Sequence, residues 1–344
     1  MTSIIDEIVT EAKTSYSYLM VERANSTMLR ASTQPIPKML FSKCMHQGEV
    51  CFLFADTGLG KTILAIQIGV SIASGVPVAG FEMEAPAQPV LYLDFELSDK
   101  QFQNRYSANY QDNYKFPRSF YRIQVDRDKI DVDGNIEDLV LKDIEAAIKN
   151  TGARVVIVDN ITWLKTETEH AKDALPLMKH LKRLQREYDL SILVLAHTPK
   201  IAESTPISVN DMAGSKHLMN FVDSAFALGR SHKDGQLRYL KQIKVRACEA
   251  VFTTHNVVSL RIEKHCNFTE FRVVDYGKEY DHLKPLKEVE NEIKEGNIVT
   301  LKRLHPEMSN REIARRTGTN HTNVKRVLDT LDTQKIREDD GQPF

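Results

Sequence analysis

Cys51-Phe52-Leu53-Phe54-Ala55-Asp56-Thr57-Gly58-Leu59-Gly60-Lys61-Thr62 joins an apolar run to a glycine-rich loop, and a helix-compatible segment follows. The order strand, loop, helix gives the stretch its chemical meaning. Glycines let successive backbone N–H groups turn toward phosphate oxygens, and the helix directs the positive end of its dipole to the same point. Lys61 then reaches the outer phosphates and the Thr62 hydroxyl suits magnesium, so Ala55, Asp56, Thr57, Gly58, Leu59, Gly60, Lys61 and Thr62 are the expected phosphate-binding residues. Ala55 stands where the usual pattern has its first glycine, a departure that a small residue accommodates.

Working outward, short apolar runs alternate with amphipathic segments from Gly48 to about Asp275, as in a parallel sheet wound with crossover helices. Strands are expected over Val50 to Phe54, Val90 to Phe95, Val155 to Val158 and Ile192 to Ala196. Helices are expected around Thr62 to Ile72, Ile136 to Lys149 and Ala171 to Glu187. Runs this apolar and short suit strands buried on both faces. Leu237 to Val245, Val257 to Lys264 and Phe268 to Val274 alternate polar with apolar residues, as antiparallel edge strands do.

Two strand ends carry acids. Val155-Val156-Ile157-Val158-Asp159 has the Walker B form, in which Asp159 holds a water of the magnesium ion, and ligands of open α/β sheets lie at the carboxyl ends of strands. Val90 to Glu96 ends in Asp94 and Glu96, which a continuing strand would place on one face, Glu96 nearer the edge. Glu96 is the expected group that orients and deprotonates water.

The element order resembles the RecA-like P-loop ATPases, and within them the RepA- and DnaB-type hexameric helicases and AAA-like ATPases of plasmids and mobile elements. The resemblance covers about Pro35 to Asp275. It implies an α/β fold with a mostly parallel twisted sheet flanked by helices, ATP and magnesium as cofactors, and a homo-oligomer, expected to be a hexamer. It also implies that Glu96 activates water, that His197 in Leu193-Val194-Leu195-Ala196-His197-Thr198 senses the γ-phosphate, and that Gly214-Ser215 matches a short family signature. Lys244 and Arg246, in Leu240-Lys241-Gln242-Ile243-Lys244-Val245-Arg246, match the cations that reach the neighbouring subunit's nucleotide.

Met308 to Leu328 reads separately as a helix-turn-helix. Ser309 with Glu312 forms a capping box, Ile313 and Ala314 face a core, Gly318 breaks the first helix and Asn320 or His321 opens the second. Thr322, Asn323, Lys325 and Arg326 would approach base edges, with Arg315 and Arg316 on phosphates. Similar helical hairpins also serve protein contacts. In a hexameric helicase the loop after Asp159 and the loop between Thr198 and Met212 would line a channel. Lys165 and Lys200 are their cations and Trp163 a candidate base platform, against Glu167, Glu169 and Glu203.

The expected organisation is an N-terminal helical arm and linker over 1–34, with Ile4, Ile5, Ile8 and Val9 at helical spacing. An ATPase domain over 35–276, a charged linker over 277–296 and the helix-turn-helix domain over 297–344 follow. The 344 residues carry a net charge of −1, so affinity for nucleic acid must be local. Cys44, Cys51, Cys248 and Cys266 form no CxxC pair, which fits free thiols in a reducing compartment and a cytoplasmic location without a membrane segment. The leading expectation is an ATP-driven, DNA-acting ring. The alternatives are a nucleotide-switched, sequence-specific DNA regulator or initiator, and a recombinase or clock-type relative.

Overall fold

Strand-forming segments ending at one common edge build the molecule's frame. The computed structural model describes residues 14–15, 19–125, 136–160, 174–198, 201–212 and 216–339. Nine strands form one sheet: β1 (Val50–Ala55), β2 (Val90–Asp94), β3 (Phe120–Ile123), β4 (Val155–Asp159), β5 (Ser191–His197), β6 (Ser224–Arg230), β7 (Leu237–Lys244), β8 (Val257–His265) and β9 (Phe268–Gly277). Their spatial order is β9-β8-β7-β6-β1-β5-β4-β2-β3. The six strands from β6 to β3 pair in parallel, and β7, β8 and β9 extend the sheet antiparallel. This is the α/β, mostly parallel RecA-like architecture, with the expected antiparallel extension.

Period-two alternation divides the core between the two faces of the sheet. Cys51, Leu53, Tyr92, Ile157 and Leu195 face α2 (Lys61–Ser74), whose Leu64, Ile68 and Ile72 are fully buried. Phe52, Phe54, Leu93, Val156 and Val194 face the other way. There they meet Leu141 and Ile144 of α4 (Ile136–Thr151) and Leu181 and Leu184 of α5 (Ala174–Tyr188). Each such aliphatic side chain contributes about 1.5–3 kcal/mol through removal from water.

Two strands went unanticipated in the sequence. β6 reads Ser-Ala-Phe-Ala-Leu-Gly-Arg, small residues of weak strand preference, yet six of its seven residues are buried because it lies between β1 and β7. Gly229 is required there, since a Cβ would come within 2.1 Å of the Tyr239 ring. β3 is a partly exposed edge strand with no apolar run to announce it.

The amino-terminal expectation shifts. Ile4, Ile5, Ile8 and Val9 lie outside the described residues. Met20–Val21 pairs with Thr14–Ser15, and α1 occupies Ala24–Ser32 with no buried residue. The stretch expected as a charged linker, 277–296, is also ordered. A 3-10 turn at Glu279–His282 inserts Glu279 and His282 into the ATPase core, and α7 (Leu286–Leu304) follows as one continuous helix across the expected boundary at 296/297. Its charges occupy the solvated faces of a helix, which composition alone does not separate from a linker. α7 packs through Ile298 on α8 (Asn310–Thr317) and α9 (His321–Asp339), around Ile313, Ala314, Val324 and Val327.

Glu279 is held where water cannot reach it. Lys241 Nζ donates to its carboxylate at 2.5 Å and to the Ile207 carbonyl at 2.7 Å, and the Ile207 N–H donates to Glu279 at 2.7 Å. Removing one partner of such a pair leaves a buried charge uncompensated. Lys241→Met is therefore expected to destabilise the protein by about 3–5 kcal/mol, read as a lowered urea midpoint; an unchanged midpoint would show that the pair does not hold the 3-10 turn.

Candidate functional site

The carboxyl edge of the parallel strands gathers the residues that ended apolar runs in the sequence. Register places His197 beside Ala55 and Asp159 beside Asp94. After β1 the chain turns through Gly58 and Gly60, both at positive φ (75° and 94°), conformations that glycine adopts without strain. At Gly60 a Cβ would also fall 2.8 Å from Ile262 and Phe271 side-chain atoms. Lys61 begins α2, and its Nζ donates to the carbonyls of Ala55 at 2.8 Å and Asp56 at 3.1 Å and lies 3.1 Å from His197 Nδ1. Thr57 and Gly58 are exposed at the loop tip, whereas Leu59 is buried.

Glu96 stands beyond the end of β2, which closes at Asp94. The strand therefore does not carry both acids on one face, and they part. Asp94 is buried, pairs with Arg122 at 2.8 Å and accepts the N–H groups of Glu96 and Leu97. Glu96, 3.6 Å from His197 Nε2, accepts from Asn160 Nδ2, which also lies 2.9 Å from His197 Nε2. An ammonium can only donate, so His197 Nδ1 accepts from Lys61 and the proton of the neutral ring sits on Nε2, on the Glu96 side. Hydrogen bonding to His197 holds the Glu96 carboxyl below its usual range against the opposing effect of burial. Lys61, His197, Asn160 and Glu96 thus form one connected chain of polar groups.

Asp159 ends β4 almost fully buried. Tyr92 Oη donates to its Oδ2 at 2.7 Å and the Thr62 side chain hydrogen-bonds to it. Burial pushes its carboxyl up to about 6, with the Tyr92 and Thr62 hydrogen bonds opposing. Burial likewise holds the Lys61 ammonium below its usual value, Asp159 opposing. A buried carboxylate whose charge is disfavoured, touching a threonine hydroxyl, is a donor set that fits magnesium. No group of three or more His, Cys, Asp or Glu gathers as a metal cage among the described residues, which suits an ion that keeps waters and shares phosphate oxygens.

Asn160, Tyr92 and Arg122 were missed by sequence reasoning. Adjacency to Asp159 was a usable signal for Asn160. Tyr92 looked like one more apolar strand residue, and Arg122 belongs to the unanticipated β3.

Lys244 and Arg246 lie at the opposite edge of the sheet, since Lys244 pairs with Ala225 and Ala225 with Phe52 near the start of β1. Neither joins the Lys61 cluster of its own chain. Lys244 Nζ donates to the Met219 carbonyl at 2.6 Å, and Arg246, beyond the end of β7, pairs with Asp223 at 3.1 Å. The expected sharing of one strand face fails because β7 stops at Lys244.

In the C-terminal helices, Ser309 Oγ accepts from the Glu312 N–H, but the Glu312 carboxylate turns to Arg315 and Arg316, so half of the expected capping box forms. Gly318 ends α8 at φ 64°, and Asn320 accepts from the Asn323 N–H ahead of α9. Arg315 and Arg316 remain largely exposed; Arg326 contacts Glu295 and Asn323, and Thr322, Lys325 and Arg326 border one shallow depression. Trp163, Lys165, Glu167, Glu169, Lys200, Gly214 and Ser215 lie outside the described residues.

A family model described as an AAA domain matches residues 20–203. Among solved structures, a KaiC-like protein from the hyperthermophilic archaeon Pyrococcus horikoshii is 14% identical, with 66% of this chain and 91% of that chain covered at a TM-score of 0.46. No curated protein matches the sequence. No helix among the described residues is long and apolar enough to cross a membrane.

Asp159 yields a pH-dependent expectation for the protein free of metal and nucleotide. Its folded-state pKa lies above the unfolded value, so its contribution to stability is present below about 4 and lost as pH rises through about 6. Asp159→Asn is expected to raise stability at pH 8 by about 2–3 kcal/mol, with the gain fading toward pH 4. Thermal melts of both proteins in chelator across pH 4–8 check this; a loss of stability at pH 8 would contradict it.

Proposed function

Because the chain belongs to the AAA-domain family of P-loop ATPases, we propose that it hydrolyses ATP with magnesium as a DNA-acting oligomer of the RepA- and DnaB-type helicase kind, serving a plasmid, phage or mobile element in the cytoplasm. The observation that carries the proposal is the connected chain Lys61–His197–Asn160–Glu96 at the mouth of the glycine loop, beside the Thr62–Asp159 pair.

Phosphoryl transfer needs positioning and charge compensation more than covalent help. The loop N–H groups and Lys61 bind the phosphates, Lys61 exchanging its present carbonyl partners for phosphate oxygens. Thr62 and Asp159 hold magnesium, which neutralises charge on the phosphates. Glu96, kept ionised by His197, accepts a proton from the attacking water, and Asn160 fixes the orientation of its carboxylate. His197 bridges Lys61 and Glu96 and so senses whether a terminal phosphate has drawn Lys61 away.

The oligomer is supported by two surfaces. Met20, Val21, Met28 and Ile36 expose apolar side chains along the amino-terminal arm. Lys182, Arg183, Arg186 and Arg246 border a cavity of about 660 Å³ near Lys244 at the sheet edge opposite Lys61, where a neighbouring subunit's phosphates would find cations. Lys244 and Arg246 act in trans, and a hexamer is the expected closed form. The C-terminal helices read duplex DNA through Thr322, Asn323, Lys325 and Arg326, with Arg315 and Arg316 on the backbone. That basic, exposed surface also favours the second reading, a nucleotide-switched, sequence-specific regulator or initiator.

Glu96→Gln is expected to lower ATP turnover by about 10²–10⁴-fold while nucleotide binding persists. Lys61→Ala serves as the dead reference, and native turnover in that variant would overturn the site assignment. Single-stranded DNA is expected to raise wild-type turnover and ATP to drive strand displacement. Normal turnover with no displacement, and a strong preference for one duplex sequence, would reject the motor in favour of the switch. Lys325→Ala with Arg326→Ala is expected to weaken duplex binding and flatten its salt dependence by about two phosphate contacts; unchanged binding in a salt titration would remove α9 from the DNA interface.

A further inference from the structure

Glu96 and His197 mark where a terminal phosphate would sit, on the β5 and β2 side of the loop. A nucleotide with its outer phosphate there must extend its ribose and base the other way, across the loop toward β6, the other neighbour of β1. On that side lies a cavity of about 390 Å³ that shares Asp56 and Leu59 with the loop itself. Its size falls within the range of small-ligand sites. Leu59, Leu228, Ile207 and Tyr239 give it apolar walls, and Val289 from the first turn of α7 closes it. Arg230, Lys284 and Glu292 supply polar groups. A flat apolar surface with a few polar groups beside it is the chemistry that receives a nucleobase and its sugar.

We infer that this cavity takes the base and ribose of the nucleotide held by the glycine loop, and that α7, the helix leading into the C-terminal unit, is a wall of that pocket. The inference rests on the reading of the loop as a nucleotide site and deepens it. α7 is positioned at the cavity by two contacts: the Lys284 N–H donates to the Glu203 carbonyl at 2.9 Å, and His232 Nε2 lies 2.9 Å from Glu288. Lys284 Nζ also pairs with Glu292 in the second turn of the helix. From there the helix continues unbroken, spanning about 28 Å in all, to Leu304, and Ile298 on it is fully buried against α8 and α9. A base seated against Val289 therefore contacts the same rigid element that packs on Ile313 and Val324. Nucleotide occupancy restrains the start of α7 and so biases the placement of the DNA-facing helices, whereas a phosphate chain without a base does not.

The test uses the full chain, ADP with magnesium, and inorganic tripolyphosphate with magnesium, followed by hydrogen exchange. Both ligands are expected to slow exchange at residues 56–62, and ADP alone to slow it at 201–207 and 283–292. Protection of 283–292 by tripolyphosphate to the same extent, or its absence when ADP protects the loop, would overturn the pocket. Absence of protection at 56–62 with either ligand would instead overturn the nucleotide reading beneath it. Val289→Trp, which fills the cavity, is expected to weaken ADP binding by at least about tenfold and to leave tripolyphosphate affinity unchanged, while Lys61→Ala weakens both. Wild-type ADP affinity in Val289→Trp contradicts the proposal.

Discussion

A buried ammonium governs the site. Lys61 is withdrawn from water at the start of α2, and carbonyls of Ala55 and Asp56 together with His197 are its hydrogen-bond partners. Every other feature of the edge follows from keeping that charge compensated. The sheet must bring β5 next to β1 so that His197 arrives beside Ala55, and β4 must lie beyond β5 so that Asp159 opposes the lysine electrostatically. Parallel pairing delivers all of these strand ends to one side, as the crossover topology requires.

The acids near Lys61 divide their work by environment. Asp159 is buried and reluctant to carry charge alone, which makes it responsive to a cation. Glu96, half exposed and hydrogen-bonded toward His197, stays ionised and available to water. Asp94, two residues away, serves structure by tying β2 to β3 through Arg122 and by receiving the N–H groups that turn the chain after the strand. Neighbouring carboxylates in one sequence thus differ in role because the strand ends between them.

Much of this was legible in the residues. The glycine loop, Asp159, Glu96 and His197 each follow an apolar run, and a parallel sheet converts that shared feature into proximity. What sequence could not convey was side-chain partnership across strands. Asn160 joins Glu96 to His197 only because β4 sits between β2 and β5, and Tyr92 reaches Asp159 only through register. β6 escaped because burial, rather than intrinsic preference, makes a strand of its alanines and glycine. The segment over 277–296 resembled a linker because its charges hide two structural facts, the burial of Glu279 against Lys241 and the continuity of α7. The capping of α8 and α9 at Ser309, Gly318 and Asn320 was readable because caps are local.

Lys61, Asp159, Glu96 and His197 together suit a phosphate in transfer better than a resting ligand. Calorimetric binding of ADP with magnesium, with and without fluoroaluminate as a mimic of that phosphate, tests this without relying on turnover. Fluoroaluminate is expected to tighten ADP binding by at least about 10²-fold, and Glu96→Gln to remove most of the gain. Equal affinity with and without fluoroaluminate in the wild-type protein would contradict it.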